Sequence, residues 1–266
     1  MTTQDVNISP RRFEMTSPLS AAYVNKSELY DHGRPSYPPE AIFFILRQLD
    51  LSLGLPVLDV GSGTGILTRQ LAAAGMPTIG VEPDASMLAK AEANNDQPSA
   101  SYQFGTAEQL GVAPRSIAAL VCGQSFHWFE PDNTRAEFRR VLATNNPVIL
   151  IWNIRSPDCN AFHLAYEQLL RGVFKRYAET LQIDKALESR IKKFFLGPFE
   201  ERTFHNRQQL SAAGLFNRTM SCSYAAQPGT REYRAAGKAL NTLHQQHQQN
   251  GFVSLSYQTR VVYGRI

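Results

Sequence analysis

Two acids and three glycines dominate the chemistry that this chain could perform. Asp59 stands two residues before Gly61 in the run Val57-Leu58-Asp59-Val60-Gly61-Ser62-Gly63-Thr64-Gly65, and Glu82 closes the next apolar run, 76–81. A strand that breaks into alternating glycines and then a helix brings a ligand against bare backbone at the carboxyl edge of a parallel sheet. The dinucleotide version of that turn is G-x-G-x-x-G, with pyrophosphate resting on it. Here the spacing is G-x-G-x-G, and Ile66 occupies the place of the third dinucleotide glycine. Asp59 lies where it would repel a phosphate and attract a cationic amine. An acid that ends the following strand, as Glu82 does, accepts both hydroxyls of a ribose. The pair selects a nucleoside with a ribose and a cationic tail but no phosphate, which describes S-adenosylmethionine.

The elements that must position these residues follow from the apolar pattern. Strands are expected at 56–60, 78–81, 101–105, 118–122 and 148–152, with helices at 65–74, 85–93 and 134–142 and one short helical turn at 107–110. Such alternation implies an α/β fold, a doubly wound and mostly parallel sheet with helices on both faces. Before it stand a short helix at 21–31 that stops at Gly33, the rigid segment Arg34-Pro35-Ser36-Tyr37-Pro38-Pro39, and a helix at 40–49. After Trp152 the alternation ends. The spacing of Phe162, Tyr166, Leu169, Leu170, Phe174 and Tyr177 predicts one helix over 160–181, followed by a second over 183–195. A strand at 199–204, helices at 207–213 and 231–249 and a final strand at 252–265 complete the reading. The expected organisation is a flexible arm (1–22), an α/β core (23–154), a helical cap over the substrate site (155–200) and a carboxyl-terminal part that completes the sheet (201–266).

Asp59–Gly65 and Glu82 together resemble the first motif and the ribose-binding acid of the class I, Rossmann-like S-adenosylmethionine-dependent methyltransferases. Three further segments are similar to a subgroup of that family, the type 11-like one with small-molecule enzymes: Tyr-x-x-x-Arg-Pro-x-Tyr-Pro from Tyr30, Gln124-Ser125-Phe126-His127-Trp128-Phe129, and the tail around Tyr257-x-Thr259-x-Val261-x-Tyr263-Gly264. The resemblance implies a seven-stranded-type sheet with S-adenosylmethionine as cofactor and a small-molecule methyl acceptor as partner. It implies that Asp59, Gly61, Gly63, Glu82 and Gln124 hold the cofactor, that Thr106 and Ala107 frame its adenine, and that Tyr30 or Arg34 reaches its methionyl carboxylate. It places Trp128 against cofactor or substrate and His127 where it could act as general base or merely orient its loop. Trp152, Asn153 and Arg155 leave the fifth strand toward the same edge and are candidates for the acceptor pocket, where Arg155 would suit an anion. An RNA or protein acceptor, or cofactor binding without catalysis, is the alternative.

Composition bounds the rest. With 266 residues, 43% hydrophobic and 19% charged, the chain is ordinary for a globular protein. Its net charge of +4 is scattered, with no basic stripe for a nucleic acid. No apolar run is long enough for a bilayer, and the first ten residues lack a signal-peptide core. Cys122, Cys159 and Cys222 form no metal or disulfide framework, so a cytoplasmic setting without a bound metal is expected. His244 and His247, three apart, read as surface residues.

Overall fold

The computed structural model describes residues 26–49, 54–143, 146–156 and 160–266. The arm at 1–22 therefore lies outside the described residues, as does Cys159. Seven strands form one sheet in the order β3-β2-β1-β4-β5-β7-β6. These are β1 (Val57–Val60), β2 (Thr78–Glu82), β3 (Ala100–Phe104), β4 (Ala119–Gly123), β5 (Val148–Arg155), β6 (Phe199–Leu210) and β7 (Val253–Gly264). β1 to β5 are mutually parallel, whereas β7 runs antiparallel between β5 and β6. This is the α/β, mostly parallel sheet expected from the alternation, with the seven strands that the resemblance implied.

Strand periodicity sorts the side chains onto two faces. Leu58, Val60, Leu120, Cys122, Val148, Leu150 and Trp152 pack with helices α5 (Pro131–Val141) and α7 (Tyr177–Phe195). Val57, Ala119, Val121, Ile149 and Ile151 pack with α2 (Pro39–Arg47) and α3 (Ile66–Ala73). β1 is buried at all four positions, as a central parallel strand with both faces covered must be. α4 (Ala85–Ala93) is capped by the Asp84 carboxylate, which accepts from the Ser86 and Met87 N–H groups.

A second core lies beyond the carboxyl edge. Arg155, the last residue of β5, faces Tyr257, but β6 and β7 go on pairing as far as Leu210 with Val253. On this extension pack α6 (Ala161–Val173), α8 (Ala212–Met220) and α9 (Arg231–His247), through Phe162, Tyr166, Leu170, Leu215, Met220, Ala236, Leu240 and Leu243. α1 (Ser27–Gly33) joins them by lying against α8. The helical layer over the edge thus draws on 27–33 and 212–247 as well as on the 155–200 segment. Phe194 and Phe195, within the segment expected to form the cap, belong to the main core with α7.

Three element readings are corrected. The helix expected over 160–181 breaks at Phe174, whose backbone is extended and whose ring meets Tyr224 at 5.5 Å while Tyr177 meets it at 5.0 Å. That packing overrides helix propensity. The helix expected over 207–213 is strand as far as Leu210, because the ladder to β7 extends there, and α8 starts only after Ser211, whose side chain accepts from the Gly214 N–H. The turn at 107–110 is a tight loop closed by reciprocal Thr106–Gln109 backbone bonds of 3.1 Å, not a helix.

Gly33 sets the approach of α1 to α8. A Cβ there would stand 2.5 Å from the carbonyl carbon of Asn217 and 2.6 Å from the Arg218 nitrogen. Gly33→Ala should push the helices apart and cost about 1–3 kcal/mol. A thermal melt with an unchanged midpoint would show that the contact is not tight.

Candidate active site

Order in the sheet reverses between β1 and β4, and the carboxyl ends of these strands open a crevice there. The loop after β1 lines it through Gly61 (φ +70°), Gly63 (φ +57°) and Gly65 (φ +80°). At Gly61 a Cβ would come within 2.6 Å of Ser125 Cβ, so the close approach of the two loops requires glycine. Ser125, to which no role was given from sequence, donates its hydroxyl to the Val60 carbonyl at 2.6 Å and ties the loop after β4 to β1. Its signal was its place, directly after Gln124 at the end of a strand.

The two acids meet at this crevice. Asp59 is 1% exposed; its Oδ2 accepts from the Thr68 hydroxyl at 2.7 Å, and its Oδ1 is buried with no partner. Burial raises its pKa to about 7. Glu82 accepts from the Gly63 N–H at 2.8 Å and the Asp84 N–H at 2.9 Å, so it also pins the glycine loop to the end of β2. Burial raises its pKa to about 7 as well, with Asp84 and Asp59 adding to the rise and the two N–H groups opposing it. A narrow cavity lined by Asp59, Ser62, Ile66, Leu67, Gly123, Gln124, Tyr30, Arg34, Pro35 and Tyr37 runs from Asp59 to the amino-terminal segment.

Tyr30 and Arg34 therefore do reach the crevice. The position of a Cβ on Gly63 is 3.8 Å from the Tyr30 ring, and the Arg34 guanidinium lies 4.6 Å over that ring. Arg34 also donates to the Ser221 carbonyl at 3.2 Å and so spans from the glycine loop to the end of α8. Gln124, at φ +61°, donates through its side chain to the Asn153 carbonyl at 3.3 Å. Thr106 stands in the loop after β3, and the Ala107 side chain is buried in the main core.

The loop after β4 forms a 3₁₀ turn, Phe126–Trp128, clamped from behind by α7. Phe126 is fully buried against Phe194 at 5.0 Å, and Arg190 donates to the Phe129 carbonyl. His127 is partly buried with its ring 4.9 Å from that of Trp128. Burial, then Arg190 and Arg34, lowers its pKa to about 4. The imidazole is neutral across the physiological range but correspondingly weak as a base. His127→Ala should slow turnover by less than about tenfold and leave the pH profile between about 5 and 9 unchanged in shape. A loss of about 10²-fold or more, with an altered acid limb, would restore the general-base role.

The three candidates at the end of β5 divide. Strand alternation turns Trp152 into the main core, T-shaped to Phe126 at 6.5 Å, and not toward the crevice. Asn153 faces the other way and stitches the site together: it donates to the Ser36 carbonyl at 3.2 Å, and its Oδ1 accepts from Thr259 and Asn206. Arg155 is held by Glu167 at 2.6 Å and the Tyr177 hydroxyl at 2.7 Å. Away from the crevice, His244 is 7% exposed, so its reading as a surface residue is corrected; the α9 face that carries it is turned inward.

Residues 58–150 match the family described as Methyltransferase domain. The segment that matches a methyltransferase domain comprises the strands and loops that form the crevice, from β1 to the start of β5. The chain is 36% identical over 137 residues to an uncharacterised methyltransferase of Mycobacterium tuberculosis, covering 52% of this chain and 54% of that one. An uncharacterised methyltransferase of Schizosaccharomyces pombe is 32% identical over 127 residues, covering 47% and 50%. The chain thus spans only about half the length of these relatives. In fold the likeness extends further. A proposed type II methyltransferase from Anaeromyxobacter dehalogenans superposes with a TM-score of 0.63 over 87% of this chain and 97% of its own, at 19% identity. Among the described residues, no helix is long and apolar enough to cross a membrane.

Proposed function

We propose that the chain binds S-adenosylmethionine and transfers its methyl group to a small-molecule acceptor. One observation carries the reading: two buried carboxylates, Asp59 and Glu82, flank a glycine turn in a methyltransferase domain, and one Asp59 oxygen is buried without a partner. An orphaned carboxylate oxygen in a cleft fits a cationic ligand and would oppose a phosphate. When bound, the cofactor supplies a methyl group already activated by its sulfonium.

The chain's own residues then bind, orient and exclude water. Asp59 and the backbone of Gly61 and Gly63 hold the aminopropyl end. Glu82 accepts from the ribose hydroxyls with lone pairs that the Gly63 and Asp84 N–H groups leave open. Thr106 and the Ala107 backbone border the adenine, and Gln124, Tyr30 and Arg34 close the methionyl end. The 3₁₀ turn with His127 and Trp128 faces the acceptor, whose lone pair must approach the methyl in line with the departing sulfur. The helical layer of α1, α6, α8 and α9 at the carboxyl edge supports a small acceptor, because a macromolecule needs an open groove.

The test is transfer of labelled methyl from S-adenosylmethionine into a cell extract separated by size. Label in the low-molecular-mass fraction is expected. Label confined to RNA or protein would overturn the small-acceptor reading, and failure of the cofactor to bind in calorimetry would overturn the function itself.

A further inference from the structure

Beyond β5, between α6, α8 and the extended ends of β6 and β7, the buried side chains do not balance in charge. Arg218 on α8 is 9% exposed. Its Nε donates to the Tyr257 hydroxyl at 3.0 Å and its Nη1 to Cys222 Sγ at 3.0 Å, while among the described residues its Nη2 has no partner and no carboxylate pairs with it. Arg155 lies 5.0 Å over the Tyr166 ring, and its Nη1 is buried without a partner. Its acid, Glu167, is shared with Arg171 at 2.8 Å. Lys26, 1% exposed, donates to the carbonyls of Cys222 and Ala225, at 2.8 and 3.1 Å.

Arg218 and Lys26 are buried with no carboxylate partner among the described residues, and an unpaired buried cation costs several kcal/mol by general experience, so an anionic ligand would relieve that cost. The positive field is visible at Cys222. Burial pushes its thiol up, yet Arg34 and Arg218 outweigh burial and bring it below the ordinary thiol range. The layer also adjoins the cofactor crevice: Tyr30, beside Gly63, feels Arg34, Glu82, Cys222 and Arg218 together.

We propose that this layer is the acceptor subsite and that it takes a carboxylate-bearing small molecule, with Arg218 as the residue that selects the anion. The inference rests on the methyltransferase reading above. The guanidinium edge left open at Nη2 suits a carboxylate oxygen; the guanidinium lies 5.8 Å from the Tyr257 ring centre, and Tyr166 and Tyr224 are near enough to act on its charge. Cys222, a neutral neighbour when protonated, is the group that the carboxylate would replace as partner of Nη1.

The experiment is calorimetry on the full chain saturated with S-adenosylhomocysteine, titrated with 4-hydroxybenzoate, phenylacetate and succinate, and with neutral 4-hydroxybenzamide. At least one carboxylate should bind, and 4-hydroxybenzamide should bind at least about tenfold more weakly than the best of them. Arg218→Gln should weaken the carboxylate by about tenfold or more, Arg218→Lys should recover part of it, and affinity for S-adenosylhomocysteine should change by less than about twofold in both. The inference is overturned if none of the three carboxylates binds, if the amide binds as well as they do, or if Arg218→Gln binds like the wild type. The comparison of acid with amide uses only the wild type and stands even if the variants fail to fold. Absence of S-adenosylhomocysteine binding in the wild type would instead sink the methyltransferase reading.

Discussion

Glu82→Ala should reduce affinity for S-adenosylmethionine by about two orders of magnitude. Loss of charge-assisted bonds to the ribose costs about 1.5–3 kcal/mol, which is roughly one to two decades. The structure adds a second loss, because the same carboxylate accepts from the Gly63 and Asp84 N–H groups and fastens the glycine loop to β2. Releasing that loop removes about another 1 kcal/mol of preorganisation. Glu82→Gln separates the two effects, since the amide oxygen still accepts from one backbone N–H while the charge is gone. Calorimetry should place Gln between wild type and Ala. Equal affinity in wild type and Ala would remove Glu82 from the cofactor site.

Asp59→Asn should do opposite things to stability and to binding. The pKa of Asp59 in the folded chain is about 7, above its usual value of 3.8, and burial is the cause. Between about pH 4 and 7 the folded chain retains a proton that the unfolded chain has released. Stability of the ligand-free protein therefore falls as pH rises through that window and is lowest, for this group, above pH 7. Asparagine removes the charge and keeps an acceptor for the Thr68 hydroxyl, so at pH 8 the ligand-free variant should be more stable by about 1–3 kcal/mol. A cationic ligand favours the ionised carboxylate. Affinity of the wild type should rise with pH up to about 7–8 and then level, with proton release on binding below that range. The variant should bind at least about tenfold more weakly and with a flatter pH dependence. Glu82 is shifted in the same direction and contributes the remaining slope. Thermal melts and calorimetry in buffers of different ionisation enthalpy measure both effects. A variant less stable than wild type at pH 8, or a wild-type affinity independent of pH, would contradict the assignment.

What could be read from the sequence was local. Val57 to Gly65 announces a buried strand, a left-handed turn and a helix within nine residues, and each signal depends on neighbours in the chain. The same holds for the order of β1 to β5, because strand and helix alternate at short spacing, and for the place of Asp59 and Glu82 at strand ends. Sequence likewise put Tyr30 and Arg34 near the cofactor crevice, through a motif and not through any physical signal that spans the distance from Arg34 to Ser221.

Tertiary structure decided what depends on distant partners. Trp152 and Asn153 are adjacent in sequence, yet strand alternation sends one into the main core and the other into the site, and which face was which followed only from where α2, α3, α5 and α7 packed. β6 runs to Leu210 because β7 offers it a partner some forty residues later in the chain, which no local propensity for helix at 207–213 could foresee. The kink at Phe174 exists because Tyr224 takes both its ring and that of Tyr177. Arg155 was legible as a cation near the site, but its capture by Glu167 and the gathering of Arg218, Lys26 and Cys222 beside it arise from helices that meet only on folding. Burial, a property of the whole packed chain, then sets the charge state of Asp59, Glu82 and His127, and it is burial that turns acids of ordinary type into groups that titrate near neutrality.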